Sequence, residues 1–210
     1  LINCTKYDIL TRKIYERQIQ TLAQLAINKG IGVDDVVKEI HQEQKNEKLK
    51  EFVLKHDPNK NGAITIGSNF MMTNEAQECA QNLDTVGYNY SERLYNEHHE
   101  MYPKWKIYGS ETSSTIQSRG IYHFPESLML VTFSDGQCSC LGNCTVSWGG
   151  KNTQTVIAND RDCKFSQGQY IWTGWDYIGE PTPYHTKNSF FGQIDTAGFP
   201  KDTFYLYKSE

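Results

Sequence analysis

The chain has 210 residues, 38% hydrophobic, 22% charged and 12% aromatic, the composition of an ordinary globular protein with enough apolar material for a core. Its formal net charge of −4, from 21 basic and 25 acidic residues, excludes the bulk positive field of a nucleic-acid binder. No apolar run reaches the roughly 18 residues of a membrane helix. Residues 1–10 also lack the basic-then-apolar pattern of a secretory leader. No nucleic-acid or membrane partner is therefore expected, and the location reads as cytoplasmic.

Composition shifts near residue 60. Before it, Ile9, Leu10, Ile14, Leu22, Leu25 and Ala26 fall at mostly helical spacings and predict an amphipathic helix from Tyr7 to Lys29, ended by Gly30. Val33, Val36, Val37 and Ile40 predict a second helix, with Asp34 or Asp35 as its cap. The charge run from Glu43 to Glu51 reads as the solvated face of that helix or its continuation. After residue 60 the pattern alternates. Strands are expected at Ala63–Ile66, Leu83–Tyr90, Trp105–Ser110 and Gln169–Trp172, and helices at Thr73–Asn82, Glu92–His99 and Thr153–Arg161. Thr112–Gly150 reads as irregular, and Phe204–Tyr207 as a closing aromatic segment. Strands alternating with helices place the chain in the α/β class, as βα units on a parallel sheet. At 210 residues it is shorter than the roughly 250 of a complete (β/α)8 barrel.

Three motifs read more simply as structure than as sites. Cys4, Cys79, Cys138, Cys140, Cys144 and Cys163 form no C-x2-C pair, and without an export signal they read as reduced thiols. For the same reason the sequons at Asn3, Asn89 and Asn143 read as chance matches. Asp57-Pro-Asn59-Lys-Asn61-Gly62 matches the start of a calcium loop, but the twelfth position, where a bidentate Glu belongs, is Ser68. A helix-to-strand turn is the better reading. Glu97-His98-His99-Glu100 are consecutive, and neighbours on a helix point ~100° apart, so they cannot converge on one ion. They read as a solvated helix end. No metal and no cofactor is expected.

The chemistry-bearing residues cluster at strand ends. Ile107-Tyr-Gly-Ser-Glu111-Thr-Ser-Ser114 runs a strand into a carboxylate followed by hydroxyls, the place where parallel βα architectures carry catalysis. A helix-capping Glu is the structural alternative. Gly87-Tyr-Asn-Tyr90 and Trp172-Thr-Gly-Trp-Asp-Tyr177 combine aromatics with hydrogen-bonding groups, which suits sugars, although aromatics there also serve a core.

The strings VGYNYSERLYNEHHEMYPKWKIYGSETSST, GQYIWTGWDYIGEPTPYHTKNSFFGQIDTAGFPKD and AITIGSNFMMTNEAQECA resemble family 2 glycoside hydrolases of the bacterial β-galactosidase type. The resemblance covers residues 57–210 and corresponds to the C-terminal half of the catalytic TIM barrel; residues 1–56 match only loosely, as an N-terminal helical segment. It implies a partial (β/α)8 TIM barrel of about four βα units, strands 5–8, preceded by N-terminal helices. By position, it implies that Glu111 is the catalytic nucleophile and Tyr90 the phenol that orients it. Trp172 becomes the aromatic floor of the sugar site, and Asn89, Asp176 and Glu180 become contacts to sugar hydroxyls. The implied ligand is a β-galactoside or related neutral oligosaccharide, because Gly192–Pro200 lacks the Asn-x-Lys motif of the family's glucuronidases. The family's acid/base is the Glu of an Asn-Glu pair ending the fourth barrel strand. Here Asn46-Glu47, Asn74-Glu75 and Asn96-Glu97 follow no apolar strand. The chain is therefore expected to be a fragment lacking the acid/base and inactive or nearly so alone, its partner the N-terminal half of the barrel or a second copy. The alternative is a non-catalytic carbohydrate-binding or self-assembling half-barrel module.

Overall fold

The computed structural model describes residues 46–132, 136–145 and 150–210. The helices expected over Tyr7–Lys29 and from Val33 lie outside them. The chain divides into two compact units, Leu1–Gly62 and Ala63–Glu210. In the first, helix α1 (Asn46–His56) ends in a turn closed by the Asp57 carboxylate, which accepts from the Asn61 backbone N at 2.9 Å and from its Nδ2 at 2.6 Å. Both oxygens of Asp57, the first ligand position of a calcium loop, are spent on closing this turn.

The second unit alternates strand and helix. Its order is β1 (Thr65–Ser68), α2 (Asn74–Ala80), β2 (Thr85–Asn89), a short 3-10 turn (Glu92–Leu94), α3 (Tyr95–Met101) and β3 (Ile107–Ser113). There follow a two-residue pair β4 (Leu130–Val131) and β5 (Cys144–Thr145), then α4 (Thr153–Arg161), β6 (Ser166–Trp172) and α5 (Asp202–Ser209). Strands β1, β2, β3 and β6 lie side by side in that order, all parallel, so their carboxyl ends share one edge of the sheet. This is the α/β architecture of a partial (β/α) barrel.

Period-two alternation divides β2 between two faces. Val86 and Tyr88 join Ile107, Met71, Ala80 and Tyr95 in a buried core between sheet and helices. On the other face Gly87 lies against its neighbours: an added Cβ would collide with the Ile66 carbonyl and come within 2.7 Å of the Ser110 side chain. Thr73 caps α2 by accepting from Ala76 N, and Asn152 caps α4 by accepting from Thr155 N. The helix-end residues Glu97–Glu100 depart from the expectation. Glu97 and Glu100 are exposed, but His98 is buried in the core with its Nδ1 2.9 Å from the Tyr88 hydroxyl, and His99 stacks on Phe165. Aromatic packing draws in polar rings that the sequence presents as solvated.

Strand limits shift where side-chain type misleads. β1 begins and ends two residues later than expected, because Gly67 continues the strand. β3 runs three residues past Ser110, since Thr112 finds a partner in Gln169, 2.6 Å away on β6. The aromatic segment at Phe204–Tyr207 is helical, within α5.

Candidate active site

The exits of the parallel strands bring four of the expected residues together. Asn89 closes β2 and Tyr90 follows it, Glu111 lies within β3, and Trp172 closes β6. Register explains the aim of Glu111. Tyr88 pairs with Gly109 but Asn89 pairs with Glu111, so β3 carries one extra residue, Ser110, at this point. Such a bulge twists a strand and re-aims the side chains that follow it. Ser110 itself donates to Asn89 Oδ1 at 2.6 Å, filling the space above Gly67 and Gly87. β6 has its own irregularity beside Gly168, whose φ of 109° suits a residue without Cβ.

The backbone is held in costly conformations around the same point. Tyr90, Ser113 and Ser114 have φ of 52°, 73° and 55°. Left-handed conformations of non-glycine residues cost free energy and collect at functional sites, where surrounding contacts enforce them. Those contacts are visible: Tyr90 N donates to the Glu111 carbonyl at 2.8 Å, and Ser114 N donates to the Trp172 carbonyl at 3.2 Å. Two backbone bonds thereby stitch the β3 exit to the chain after β2 and to the end of β6.

The side chains meet within this frame. The Tyr90 hydroxyl donates to Glu111 Oε2 at 2.9 Å. Burial, and then the neighbouring Glu111 carboxylate, push the Tyr90 phenol well above its ordinary range, so it stays protonated and remains a donor. Trp172 is half-buried, edge-on to Tyr177 at 6.1 Å, and Tyr177 stacks on Phe191. Ile116, Cys138, Cys144 and Phe191 form the apolar cluster against which Trp172 and Tyr177 pack. A carboxylate held by a phenol donor, at a sheet edge where a half-buried indole also ends its strand, has the chemistry of a nucleophile or base.

The three residues expected to contact sugar hydroxyls differ in their placement. Asn89 is buried, with its Oδ1 on Ser110. Asp176 is buried too, its Oδ1 accepting from Gly192 N at 2.8 Å and from Lys201 Nζ at 2.7 Å. Glu180 is exposed at a left-handed turn, φ 46°. Sequence reasoning missed Lys201, whose contacts arise only when distant segments meet and leave no local signal. Among the described residues no cluster of three or more His, Cys, Asp and Glu could hold a metal ion. Nor is any helix there long and apolar enough to cross a membrane.

No protein-family model matches the chain. β-Galactosidase BoGH2A of Bacteroides ovatus is 35% identical to it over 203 residues, covering 90% of this chain and 23% of that protein. The crystal structure of a β-glycosidase from Bacteroides vulgatus superposes with a TM-score of 0.58 at 19% identity, over 77% of this chain and 24% of that one. For the Faecalibacterium prausnitzii β-glucuronidase the TM-score is 0.54 at 13% identity, over 78% and 27%. The chain therefore has a family 2 glycoside hydrolase fold, related to β-galactosidase and β-glucuronidase homologues, and spans about a quarter of the length of these relatives.

Proposed function

We propose that this chain supplies the C-terminal half of the catalytic barrel of a retaining glycosidase, with Glu111 as nucleophile and a terminal β-galactoside as substrate. The observation that carries the reading is the 2.9 Å hydrogen bond from the Tyr90 hydroxyl to Glu111 Oε2, at the carboxyl end of a parallel sheet. A phenol donor favours the ionised carboxylate that attack requires. The identity of 35% with a β-galactosidase over 203 residues supports the hydrolase class and the galactoside. The lack of an Asn-x-Lys motif in Gly192–Pro200 supports a neutral sugar over a uronic acid.

In this reading a Glu111 carboxylate oxygen attacks the anomeric carbon as the glycosidic bond breaks, and the leaving oxygen takes a proton from a second carboxyl about 5–5.5 Å away. Water, deprotonated by that same second group, then cleaves the glycosyl ester and restores Glu111, with net retention of configuration. The second carboxyl is proposed to come from an Asn-Glu pair on the fourth strand of the closed barrel of the intact protein. The N-terminal half of that barrel would be the partner of the sheet described here. Trp172 would stack on the C–H face of the sugar, with Asn89 and Glu180 reaching hydroxyls at its edge.

The test is hydrolysis of a chromogenic β-galactoside by the intact protein. Turnover with retained configuration is expected, and Glu111→Gln is expected to abolish it without changing the melting temperature by more than a few degrees. Undiminished turnover by Glu111→Gln would overturn the assignment. Sugar binding with no turnover would favour the carbohydrate-binding module.

A further inference from the structure

We propose that Lys201 is a positioning residue: its ammonium locks the loop that carries Trp172 onto the segment that leaves the Glu111 strand. Asp176 is then the counter-ion of Lys201 and not a ligand of the sugar. This rests on the reading above and assigns a role within the same site.

The geometry is that of a three-way brace. Lys201 is 0% exposed, and its Nζ makes three contacts: the Gln117 carbonyl at 2.7 Å, Asp176 Oδ1 at 2.7 Å and the Phe190 carbonyl at 3.3 Å. An ammonium has three N–H bonds, and each has an acceptor. The acceptors belong to segments that the sheet alone leaves unconnected. Gln117 lies four residues past the end of β3, Asp176 four residues past the end of β6, and Phe190 on the return of the loop that begins at Trp172. The brace is reinforced beside the ammonium. Gln117 N donates to the Phe190 carbonyl at 2.8 Å, Gly192 N to Asp176 Oδ1 at 2.8 Å, and Lys201 N to the Gln193 carbonyl at 2.9 Å. Thr203, two residues on, sets its hydroxyl between the side-chain amides of Gln117 and Gln193. Gly192 can have no side chain here, because a Cβ would collide with the backbone at Trp175 and Asp176.

A charge taken fully out of water is costly, and a hydrophobic residue of similar length would fill the same volume. What only a cation can do is hold two carbonyls and a carboxylate from different loops at one point. That fixes the indole of Trp172 relative to the carboxylate of Glu111, an alignment on which glycosyl transfer depends steeply, since a 1 Å displacement can cost about 100-fold in rate. Asp176, with Oδ1 already accepting from Lys201 and Gly192, is oriented toward the interior of the brace.

The experiment compares wild type, Lys201→Met, Asp176→Asn, the double variant and Glu111→Gln in the intact protein, by steady-state kinetics well below each melting temperature. For Lys201→Met, kcat is expected to fall about 10- to 100-fold while the protein stays folded. Asp176→Asn, the milder change that guards against a misfolded Met variant, is expected to lower kcat in the same direction. The double variant should be no worse than Lys201→Met alone, because both changes break one brace. A purely structural pair would lower the melting temperature and leave kcat and KM unchanged below it, which would overturn the proposal. So would an Asp176→Asn effect confined to KM and additive with that of Lys201→Met, the pattern of a direct sugar contact. Absence of wild-type turnover, or full activity in Glu111→Gln, would instead sink the glycosidase reading and this inference with it.

Discussion

The site turns on one phenol and one carboxylate. Tyr90 is 8% exposed, and its hydroxyl remains protonated because burial and the Glu111 charge both oppose ionisation. Removing that donor leaves the carboxylate less firmly oriented. Tyr90→Phe is therefore expected to lower kcat about 100-fold, in line with loss of one preorganised donor, with little change in KM. Kinetics on a variant whose melting curve matches wild type would check it, and an unchanged kcat would deny Tyr90 its orienting role. Much of this pair was legible in the sequence, because Asn89-Tyr90 and Glu111 end or follow apolar strand segments and match strings of the family. Asp176 was not legible in the same way. Its sequence neighbours are aromatic and suit a sugar, while the residue that engages it, Lys201, lies 25 positions downstream. No local pattern announces an ion pair made by two loops.

Elements are held by small polar details as well as by apolar faces. His98 on α3 is buried among Tyr88, Gln77, Tyr102 and Trp105. Burial lowers its pKa, and Glu97 opposes the shift more weakly. The folded imidazole therefore resists a proton that the unfolded chain accepts. Where the unfolded state binds more protons, stability falls as pH falls. The loss is expected to begin as pH drops through the ordinary imidazole range near 6.5 and to continue down to the lowered folded value. Urea unfolding at pH 7.5, 6.5 and 5.5 would measure it, and His98→Gln should flatten the slope over that interval. A wild-type slope indistinguishable from that of His98→Gln would contradict the assignment. The elements themselves were readable from periodicity: all four strands of the sheet and the helices α2, α3 and α4 were anticipated. Several of their ends were not, although both ends of α4 and the end of β6 at Trp172 were. Gly67 looks like a terminator but continues β1, and Thr112-Ser113 look like a loop but extend β3, since cross-strand packing decides both. The burial of His98 was also hidden, because a His-His pair between glutamates looks solvated until an aromatic cluster closes over it.

At the scale of the whole molecule, the described sheet of β1, β2, β3 and β6 orients the proposed nucleophile, its phenol and the proposed sugar platform along one edge. The relatives it resembles are about four times as long. Retaining hydrolysis needs a second carboxyl across the site, and in the proposed function that group belongs to another part of the intact protein. Covalent trapping tests the nucleophile independently of that second group's slower role in hydrolysis. An activated 2-deoxy-2-fluoro-β-galactoside, with a leaving group that needs no protonation, should esterify the nucleophile and leave the adduct in place. Mass spectrometry of the intact protein should then show one fluorosugar per chain, mapped after digestion to the peptide containing Glu111 and absent from Glu111→Gln. A stable adduct on any other residue, or turnover without an adduct on Glu111, would contradict the account.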